Sequence, residues 1–352
     1  MQEFAIAGRK IGPGHSPYVI AELSGNHNGQ LERAFRLIEV AMEAGADAVK
    51  LQTYTADTIT IDYDGPGFAI EGGLWSGRKL YDLYQKAQTP WEWHEALFEK
   101  ARQIGITAFS TPFDFTAVDF LEKLNAPAYK IASFEIIDIP LIEYVAATGK
   151  PMIISTGMAN LSEIEEAVAA ARGAGCRDLA VLHCVSGYPT PCGDANLRTI
   201  PDLAAKLGVT VGLSDHTMGV AVSIAAVALG ATILEKHVTL ARAHGGPDSA
   251  FSLEPHELAQ LVAATADAHA ALGSVNYALK SSEQGSMAFR RSLYVVAPIR
   301  KGERFTERNI RSIRPGYGLP PKLLPDIIGR NAARDIDRGA AMTLDMIETV
   351  EP

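Results

Sequence analysis

The sequence is short of several features, and each shortage excludes a class of protein. Its 352 residues include three cysteines, Cys176, Cys184 and Cys192, which form neither a zinc-binding spacing nor an even-numbered disulfide framework. No run of about 18 apolar residues occurs, so we expect no membrane span. The first residues lack the apolar core of a signal peptide. Together these features predict a protein of the reducing cytoplasm.

Positive charge is also scarce. The chain has 32 Lys and Arg against 41 Asp and Glu, a net charge of −9, which disfavours nucleic acid and anionic membrane surfaces as partners. The rest of the composition is that of an ordinary globular protein, with 47% hydrophobic and 21% charged residues. The length suits one barrel of about 250 residues with a small second domain.

Eight short apolar segments alternate with helical patterns along the chain. Most are nearly continuous apolar runs, which is typical of buried parallel strands. Eight strand–helix repeats favour an α/β fold of the closed (β/α)8 barrel type over an open sheet. The predicted strands are Tyr18–Ser24, Asp47–Thr53, Thr107–Pro112, Ala128–Ser133, Met152–Thr156, Leu179–Val185, Thr210–His216 and Thr232–Leu240.

Two of the intervening helices begin with recognisable start signals. Thr89 precedes Pro90 and stands three residues before Glu92, which predicts a helix capped by the threonine with proline in its first position. Asn160 stands three residues before Glu163 and predicts a second cap of this kind.

One connection is far longer than the others. Residues 54–88 separate the second strand from its helix, whereas such loops usually have about two to six residues. They include Trp75, Tyr81 and Tyr84. We interpret the segment as a substrate-recognition lid, because barrels place specificity in these loops; the alternative is an insertion without function.

The composition also predicts where the domains divide. The barrel is expected to occupy residues 1–272, and residues 273–288 are polar without strong periodicity, as in a linker. Residues 289–352 contain short strand and turn patterns, which predict a compact, mostly β module.

Two histidines, His216 and His237, end the seventh and eighth predicted strands. Neighbouring parallel strands lie about 4.8 Å apart, so both side chains can reach one ion. A single buried histidine is more often structural. The pair, flanked by Ser214, Asp215 and Glu235, favours a divalent metal whose remaining ligands are water and substrate. Mn²⁺ or Mg²⁺ suits such ligation best, with Zn²⁺ or Fe²⁺ as alternatives.

Two lysines, Lys50 and Lys130, end the second and fourth predicted strands, and Gln52 shares a strand face with Lys50. A lysine in an apolar strand must find an anion or shift its pKa. A Schiff base and a side chain reaching to solvent are alternatives, but a clamp for phosphate and carboxylate is favoured. The hydroxyls expected around the lysines are those of Thr111, Ser133, Ser155 and Ser214.

Four carboxyl groups are acid–base candidates: Glu22, Glu135, Glu235 and Asp248. Glu22 follows the first strand and could hold or deprotonate a water; the alternative is an ion-pair partner or helix cap. Asp248 lies in the loop after the eighth strand, from which it could reach the ion or the substrate.

A series of short motifs follows the strand ends and continues into the C-terminal module. They are Ala21–Gly29, Lys50–Thr53, Ser110–Phe113, Lys130–Ser133, Ile154–Met158, His183–Pro191, Gly212–Thr217, Glu235–Leu240, Gly245–Pro255, Phe289–Val295 and Arg314–Leu319. Taken in order, these motifs resemble those of the phosphoenolpyruvate-dependent sialic acid synthases, the NeuB-like family. The resemblance implies a (β/α)8 barrel followed by an antifreeze-like (SAF) domain, and a domain-swapped homodimer in which Arg314 reaches the sugar of the partner site.

The resemblance also implies a role for each site residue. Phosphoenolpyruvate would be held by Lys50, Thr111, Lys130, Ser155 and Ser214. The metal would be bound by His216 and His237, which with Glu22 and Asp248 form the catalytic set. The sugar would be contacted by Gln52, Ser133, Glu135, Tyr188, Phe289 and Arg314.

Within the family, residues 73–95 and the Gly245–Pro255 loop are most like the pseudaminic acid branch, and Ser186 stands where the neuraminate branch usually has Asn. This implies a metal-dependent condensation of phosphoenolpyruvate with 2,4-diacetamido-2,4,6-trideoxy-L-altrose, giving pseudaminic acid and phosphate by C–O cleavage. The alternatives are an N-acetylneuraminate or legionaminate synthase with the same mechanism, a pyruvate-dependent aldolase, and a protein that only binds its ligand.

Overall fold

The computed structural model describes residues 3–349 and divides after Gly273 into two compact units. The first unit begins with a hairpin of two antiparallel strands, β1 (Phe4–Ile6) and β2 (Arg9–Ile11), which the sequence pattern does not predict. Its apolar side chains cluster with residues from the first positions of the following strands, such as Tyr18 and Ile233. The hairpin therefore covers the N-terminal end of the sheet.

Eight parallel strands then form a closed barrel, in which the last strand pairs with both the first and the seventh. This confirms the predicted (β/α)8 barrel. The strands are β3 (Tyr18–Glu22), β4 (Ala48–Thr53), β5 (Thr107–Pro112), β6 (Tyr129–Ile131), β7 (Met152–Ser155), β8 (Leu179–Cys184), β9 (Thr210–Ser214) and β10 (Ile233–His237).

Most of the strands end one to three residues before the predicted positions. The clearest case is Ser133, which begins a short 3₁₀ turn instead of ending β6. In each case the residues predicted to end the strand follow its last hydrogen bonds to the neighbouring strands, where the backbone turns toward the loop. His216 likewise lies two residues beyond the end of β9.

Helices connect the strands and cover the outside of the barrel. In α1 the buried positions include Leu37, Ile38 and Ala41, at the spacing of one helical face. The helices of this unit are α1 (Leu31–Glu43), α2 (Ala56–Ile59), α3 (Leu80–Ala87), α4 (His94–Ile104), α5 (Phe115–Lys123), α6 (Ile139–Ala146), α7 (Leu161–Gly173), α8 (Thr199–Leu207), α9 (Ala221–Ala228) and α10 (Pro255–Leu272).

The two predicted helix starts differ in outcome. Asn160 and Glu163 form the reciprocal capping box expected at the start of α7. The cap at Thr89 is wrong, because a 3₁₀ turn over Trp91–Trp93 precedes α4. The Thr89 hydroxyl lies instead 3.5 Å from Nε2 of the buried His27, so a tertiary contact has replaced the local one.

The second unit has its own apolar core. Strands β11 (Ser292–Val295) and β12 (Ile310–Ile313) pair antiparallel, and a short helix, α11 (Leu324–Ile327), follows. The core side chains include Leu293 and Phe305. Residues 281–289 form a 3₁₀ helix. Across residues 3–349 no helix combines the length and apolar character that a membrane crossing requires.

Candidate active site

A cavity of about 470 Å³ lies at the C-terminal end of the barrel, where the predicted site residues were expected to meet. Alternation along each strand brings every second side chain inward. On β10, for example, Glu235 and His237 both reach the cavity. The predicted site residues that line it are Lys50, Gln52, Lys130, Ser133, Glu135, Ser155, Tyr188, Ser214, His216, Glu235, His237 and Asp248.

Glu22 and Thr111 lie behind the cavity wall and contact it through Lys50. Register pairs Glu22 with Lys50 on adjacent strands, and Lys50 Nζ lies 2.6 Å from Glu22 Oε2. The same ammonium donates to Thr111 Oγ1 at 3.0 Å, and Gln52 Nε2 donates to Glu22 Oε1 at 2.9 Å. Glu22 is therefore an ion-pair partner in this structure, the alternative that the sequence left open.

Glu235 lies between the two lysines. Its Oε1 is 3.7 Å from Lys50 Nζ and 3.8 Å from Lys130 Nζ, while Ser214 Oγ donates to it at 3.4 Å. These ammonium distances exceed those of a charge-assisted hydrogen bond. Within the described residues, the one hydrogen-bond partner of Lys130 Nζ is the Ile131 carbonyl at 3.2 Å. Lys130 thus retains N–H donors for an anion.

Burial and neighbouring charge shift the pKa values of these groups in different directions. Burial raises the pKa of Glu22 and lowers the pKa of Lys130. For Lys50 burial acts downward, but the carboxylates of Glu22 and Glu235 outweigh it and leave the pKa above its ordinary value. The lysine in the tighter ion pair is therefore held as a cation, and Lys130 is the less stabilised charge.

Several buried polar atoms around the cavity have no hydrogen-bond partner in the described part of the chain. Buried polar groups are nearly always paired, so a group of exceptions around one cavity points to a polar ligand. Glu135 belongs to this group, and burial raises its pKa to about 7. The atoms are Glu135 Oε2, Ser155 Oγ, Glu235 Oε2 and His237 Nδ1.

The two histidine rings are in contact edge to face, with centroids 5.3 Å apart and an interplanar angle of 61°. His216 Nδ1 lies 3.0 Å from the Val185 carbonyl, so Nδ1 carries the proton of this hydrogen bond. The lone pair of Nε2 is then free to bind a metal. Burial lowers the pKa of His237 well below its ordinary value, so this ring is neutral, the form that binds a metal. Asp248 Oδ2 lies 4.0 Å from His237 Nδ1 and accepts a hydrogen bond from Ser24 Oγ.

The donor set around these rings fits an open cation site. Within residues 3–349 no group of three or more His, Cys, Asp or Glu side chains is arranged to hold a metal ion. A cation bound by two imidazoles would therefore complete its coordination with water or substrate oxygen. The unpaired, buried Nδ1 of His237 is consistent with such a ligand position.

Asp215, which flanks the histidine pair in the sequence, does not line the cavity. Its carboxylate faces the outer side of the barrel, where Lys236 Nζ lies 2.9 Å away. Ser223 Oγ donates to it at 2.6 Å and the Thr217 N–H at 2.8 Å. Asp215 directly precedes His216, so strand alternation sends the two side chains to opposite faces.

Two of the residues predicted to contact the sugar, Ser133 and Tyr188, are held by close packing. The Gly157 N–H donates to Ser133 Oγ at 3.1 Å, and a Cβ at Gly157 would stand 2.1 Å from Ser186 Oγ, so only glycine fits. The ring of Tyr188 lies 4.5 Å from that of His216. These contacts fix the positions of the Ser133 and Tyr188 hydroxyl groups beside the cavity.

The long connection after β4 contributes an apolar wall. It consists of α2, α3 and the residues between them. Of its predicted aromatic contacts, Trp75 and Tyr84 line the cavity, whereas the Tyr81 hydroxyl donates to Asp57 at 3.0 Å. The aliphatic side chains of this wall are Ile59, Ile70, Leu80 and Leu83.

Three residues at or near the cavity were not predicted, and two predicted residues belong to the second unit. Cys184 Sγ is 3.8 Å from His216 Nδ1, and Tyr54 and Phe113 line the cavity. The position of Cys184 as the last residue of β8 could have indicated it. Phe289 and Arg314 belong to the second unit, where both are exposed.

Comparison with known proteins gives consistent matches over nearly the whole chain. A NeuB family model matches residues 37–277, and a SAF domain model matches residues 290–348. A pseudaminic acid synthase of Campylobacter jejuni is 44% identical over 92% of this chain and 95% of its own. One of Helicobacter pylori is 43% identical over 94% and 98%. The crystal structure of an N-acetylneuraminic acid synthetase from Leptospira borgpetersenii is 35% identical, with TM-score 0.72 over 81% and 95%.

Proposed function

Because the chain belongs to the NeuB family, we propose that it condenses phosphoenolpyruvate with 2,4-diacetamido-2,4,6-trideoxy-L-altrose to give pseudaminic acid and phosphate. The observation that carries the proposal is one cavity lined both by the ammonium groups of Lys50 and Lys130 and by the aliphatic side chains of the long connection after β4. The similarity to two pseudaminic acid synthases over nearly the full length supports the choice of sugar.

The two lysines of the cavity suit phosphoenolpyruvate. Lys50 and Lys130 would bind its phosphate and carboxylate, since ammonium groups form strong hydrogen bonds with anions in a site shielded from water. The unpaired hydroxyl of Ser155 and that of Ser214 would complete the site. Thr111 would act through Lys50, whose ammonium it accepts from.

The aliphatic side chains of the wall suit the sugar. Two acetamido methyl groups and the C6 methyl can pack on the wall of Ile59, Ile70, Leu80 and Leu83. A polyhydroxylated sugar would leave hydroxyl groups without partners there, which disfavours it. Polar contacts to the sugar would come from Gln52, Ser133, Glu135 and Tyr188.

The two histidines would hold a divalent cation, Mn²⁺ or Mg²⁺. When bound, the cation supplies Lewis-acid polarisation of an aldehyde oxygen. The chain would position the reactants so that C3 of phosphoenolpyruvate forms a bond to the aldehyde carbon of the open-chain sugar. Water then adds to C2, and the tetrahedral intermediate loses phosphate by cleavage of its C–O bond. Asp248, which lines the cavity, would accept the proton of that water, and the aldehyde oxygen would gain a proton to become a hydroxyl group. Glu22 is assigned to the same step and would act through Lys50, with which it is paired.

The second unit would complete the site of a second copy of the chain. In this proposal the enzyme is a domain-swapped homodimer, with Phe289 and Arg314 contributed across the dimer. Both side chains are exposed on the second unit, as such a role requires. All three cysteines are free, which is consistent with a reducing cytoplasm.

A panel of substrates tests the proposal. Phosphate release and product mass are measured with phosphoenolpyruvate and each of three sugars, the precursors of pseudaminate, legionaminate and neuraminate, with and without a chelator. We expect turnover with the altrose derivative, lost on chelation and restored by Mn²⁺. Preference for another sugar would reassign the substrate, and condensation of pyruvate without phosphate release would indicate an aldolase. No turnover with any sugar would favour a binding protein.

An isotope experiment tests the bond that breaks. With ¹⁸O in the bridging oxygen of phosphoenolpyruvate, C–O cleavage sends the label into the released phosphate. Label retained in the keto acid would contradict this step.

A further inference from the structure

The middle of the long connection, residues 60–79, forms one hydrogen bond to the barrel. None of these residues is fully buried, and their ion pairs, such as Lys79 with Asp62 and Asp64, stay within the segment. In the described chain, one hydrogen bond joins residues 60–79 to anything outside residues 54–88. It runs from Trp75 Nε1–H to the Pro247 carbonyl at 2.9 Å.

The acceptor lies in a functional loop. Pro247 is followed by Asp248, which lies beside His237 and accepts from Ser24. The ring of Trp75 also packs against Tyr188, with centroids 5.4 Å apart. Trp75 and Pro247 both line the cavity, so the contact closes one side of it.

We propose that Trp75 is a positioning residue, which holds residues 60–79 closed over the cavity and fixes the loop that carries Asp248. No side chain of the segment is fully buried, so the indole hydrogen bond and the ring contact with Tyr188 should contribute much of what holds it closed. A neutral hydrogen bond contributes enough to change such an equilibrium by about 2- to 10-fold. The link to catalysis rests on the proposed function, whereas the closure itself does not.

The variant that isolates the hydrogen bond is Trp75→Phe, which keeps an aromatic ring against Tyr188 and removes the donor. Trp91→Phe is the matched control. Trp91 stacks on Phe120 at 4.8 Å, and its buried Nε1 has no hydrogen-bond partner in residues 3–349. Trp75→Ala removes the ring contact as well and should give the larger effect.

Opening is measured without substrate, by the rate of tryptic cleavage after the exposed Arg78 in the native protein. We expect a rate about 2- to 10-fold higher for Trp75→Phe and an unchanged rate for Trp91→Phe. Since residues 60–79 are not buried, the melting temperature should change no more than in the control. An unchanged cleavage rate in both Trp75 variants would overturn the proposal.

Kinetics test the link to the site. For Trp75→Phe the KM of the sugar should rise by about 2- to 10-fold, with a smaller change in kcat. A change in kcat alone, or no change, would contradict the positioning role. If no sugar is turned over by the unaltered enzyme, the proposed function fails, and the cleavage rates still decide whether Trp75 holds the segment closed.

Discussion

Two buried networks of lysine and carboxylate lie one residue apart on β10, on opposite faces of the strand. On the outer face Lys236 pairs with Asp215 at 2.9 Å and donates to the Thr217 carbonyl at 2.6 Å. On the inner face Glu235 lies 3.7 Å from Lys50 and 3.8 Å from Lys130. The residue types are the same in both networks, but the completeness of pairing differs.

That difference separates structure from function. Asp215 accepts from three donors, so the outer charges are compensated by the protein itself. On the inner side Glu235 Oε2 and Ser155 Oγ are buried without partners among the residues described. A buried group without a partner costs free energy unless a ligand supplies one. The outer network is therefore expected to stabilise the fold, and the inner one to bind.

The largest expected effect is on stability, from breaking the outer pair. Lys236→Met keeps the length of the side chain and leaves the Asp215 carboxylate buried without its cation. Breaking a buried pair from one side costs about 3–5 kcal/mol, so the free energy of unfolding should fall by that amount in urea or thermal denaturation. A loss below about 1 kcal/mol, the range of surface ion pairs, would mean that the outer network is not structural.

In the inner network, replacing a lysine by methionine should lower activity without lowering stability. Lys130→Met removes an ammonium with one hydrogen bond to the protein, whose pKa is lowered by burial. The free energy of unfolding should hold or rise. Turnover should fall by about 10²- to 10³-fold in kcat/KM, the usual cost of one preorganised donor to a reacting anion. If Lys130→Met is as destabilising as Lys236→Met, the two networks do not differ in the way proposed.

Strand periodicity predicted which side chains converge at one end of the barrel. Lys50, Lys130, His216 and His237 all line the cavity, because residues at the ends of parallel barrel strands converge. Asp215, next to His216 in the sequence, faces away from the cavity, as alternation continued past the end of β9 predicts.

Contacts between loops could not be predicted in this way. Trp75 and Pro247 are 172 residues apart, and no local pattern specifies that they touch. The same holds for the Thr89 hydroxyl, which contacts His27 instead of capping a helix. The N-terminal hairpin was missed because two strands of three residues each give too little alternation to recognise.

A smaller effect is expected at Glu135, a carboxyl group of the cavity that should make the free energy of unfolding depend on pH. Burial raises its pKa to about 7, from an ordinary value of 4.5, so between these two pH values the native protein holds a proton that the unfolded chain has lost. The stability that this proton contributes is complete below the lower value and lost as pH rises to about 7. Glu135→Gln should remove this dependence, which is at most about 1.4 kcal/mol per pH unit.

The measurement is the free energy of unfolding of both proteins from pH 5 to pH 8. The difference between Glu135→Gln and the unaltered protein should grow in favour of the variant up to about pH 7 and then stay constant. Parallel curves would show that Glu135 titrates at its ordinary pKa.

The smallest effects come from one hydroxyl in each network, and they should differ in kind. Ser155→Ala removes a buried hydroxyl without a partner, so stability should be unchanged or higher by up to about 1 kcal/mol. The Kd of this variant for phosphoenolpyruvate should rise about 10- to 100-fold, since a hydrogen bond to a charged group is lost. Ser223→Ala removes a donor to the Asp215 carboxylate and should cost about 1.5–3 kcal/mol of stability with no change in Kd. Calorimetric titration and urea denaturation of both variants measure these effects. If both serines affected the same quantity, completeness of pairing would not distinguish a binding network from a structural one.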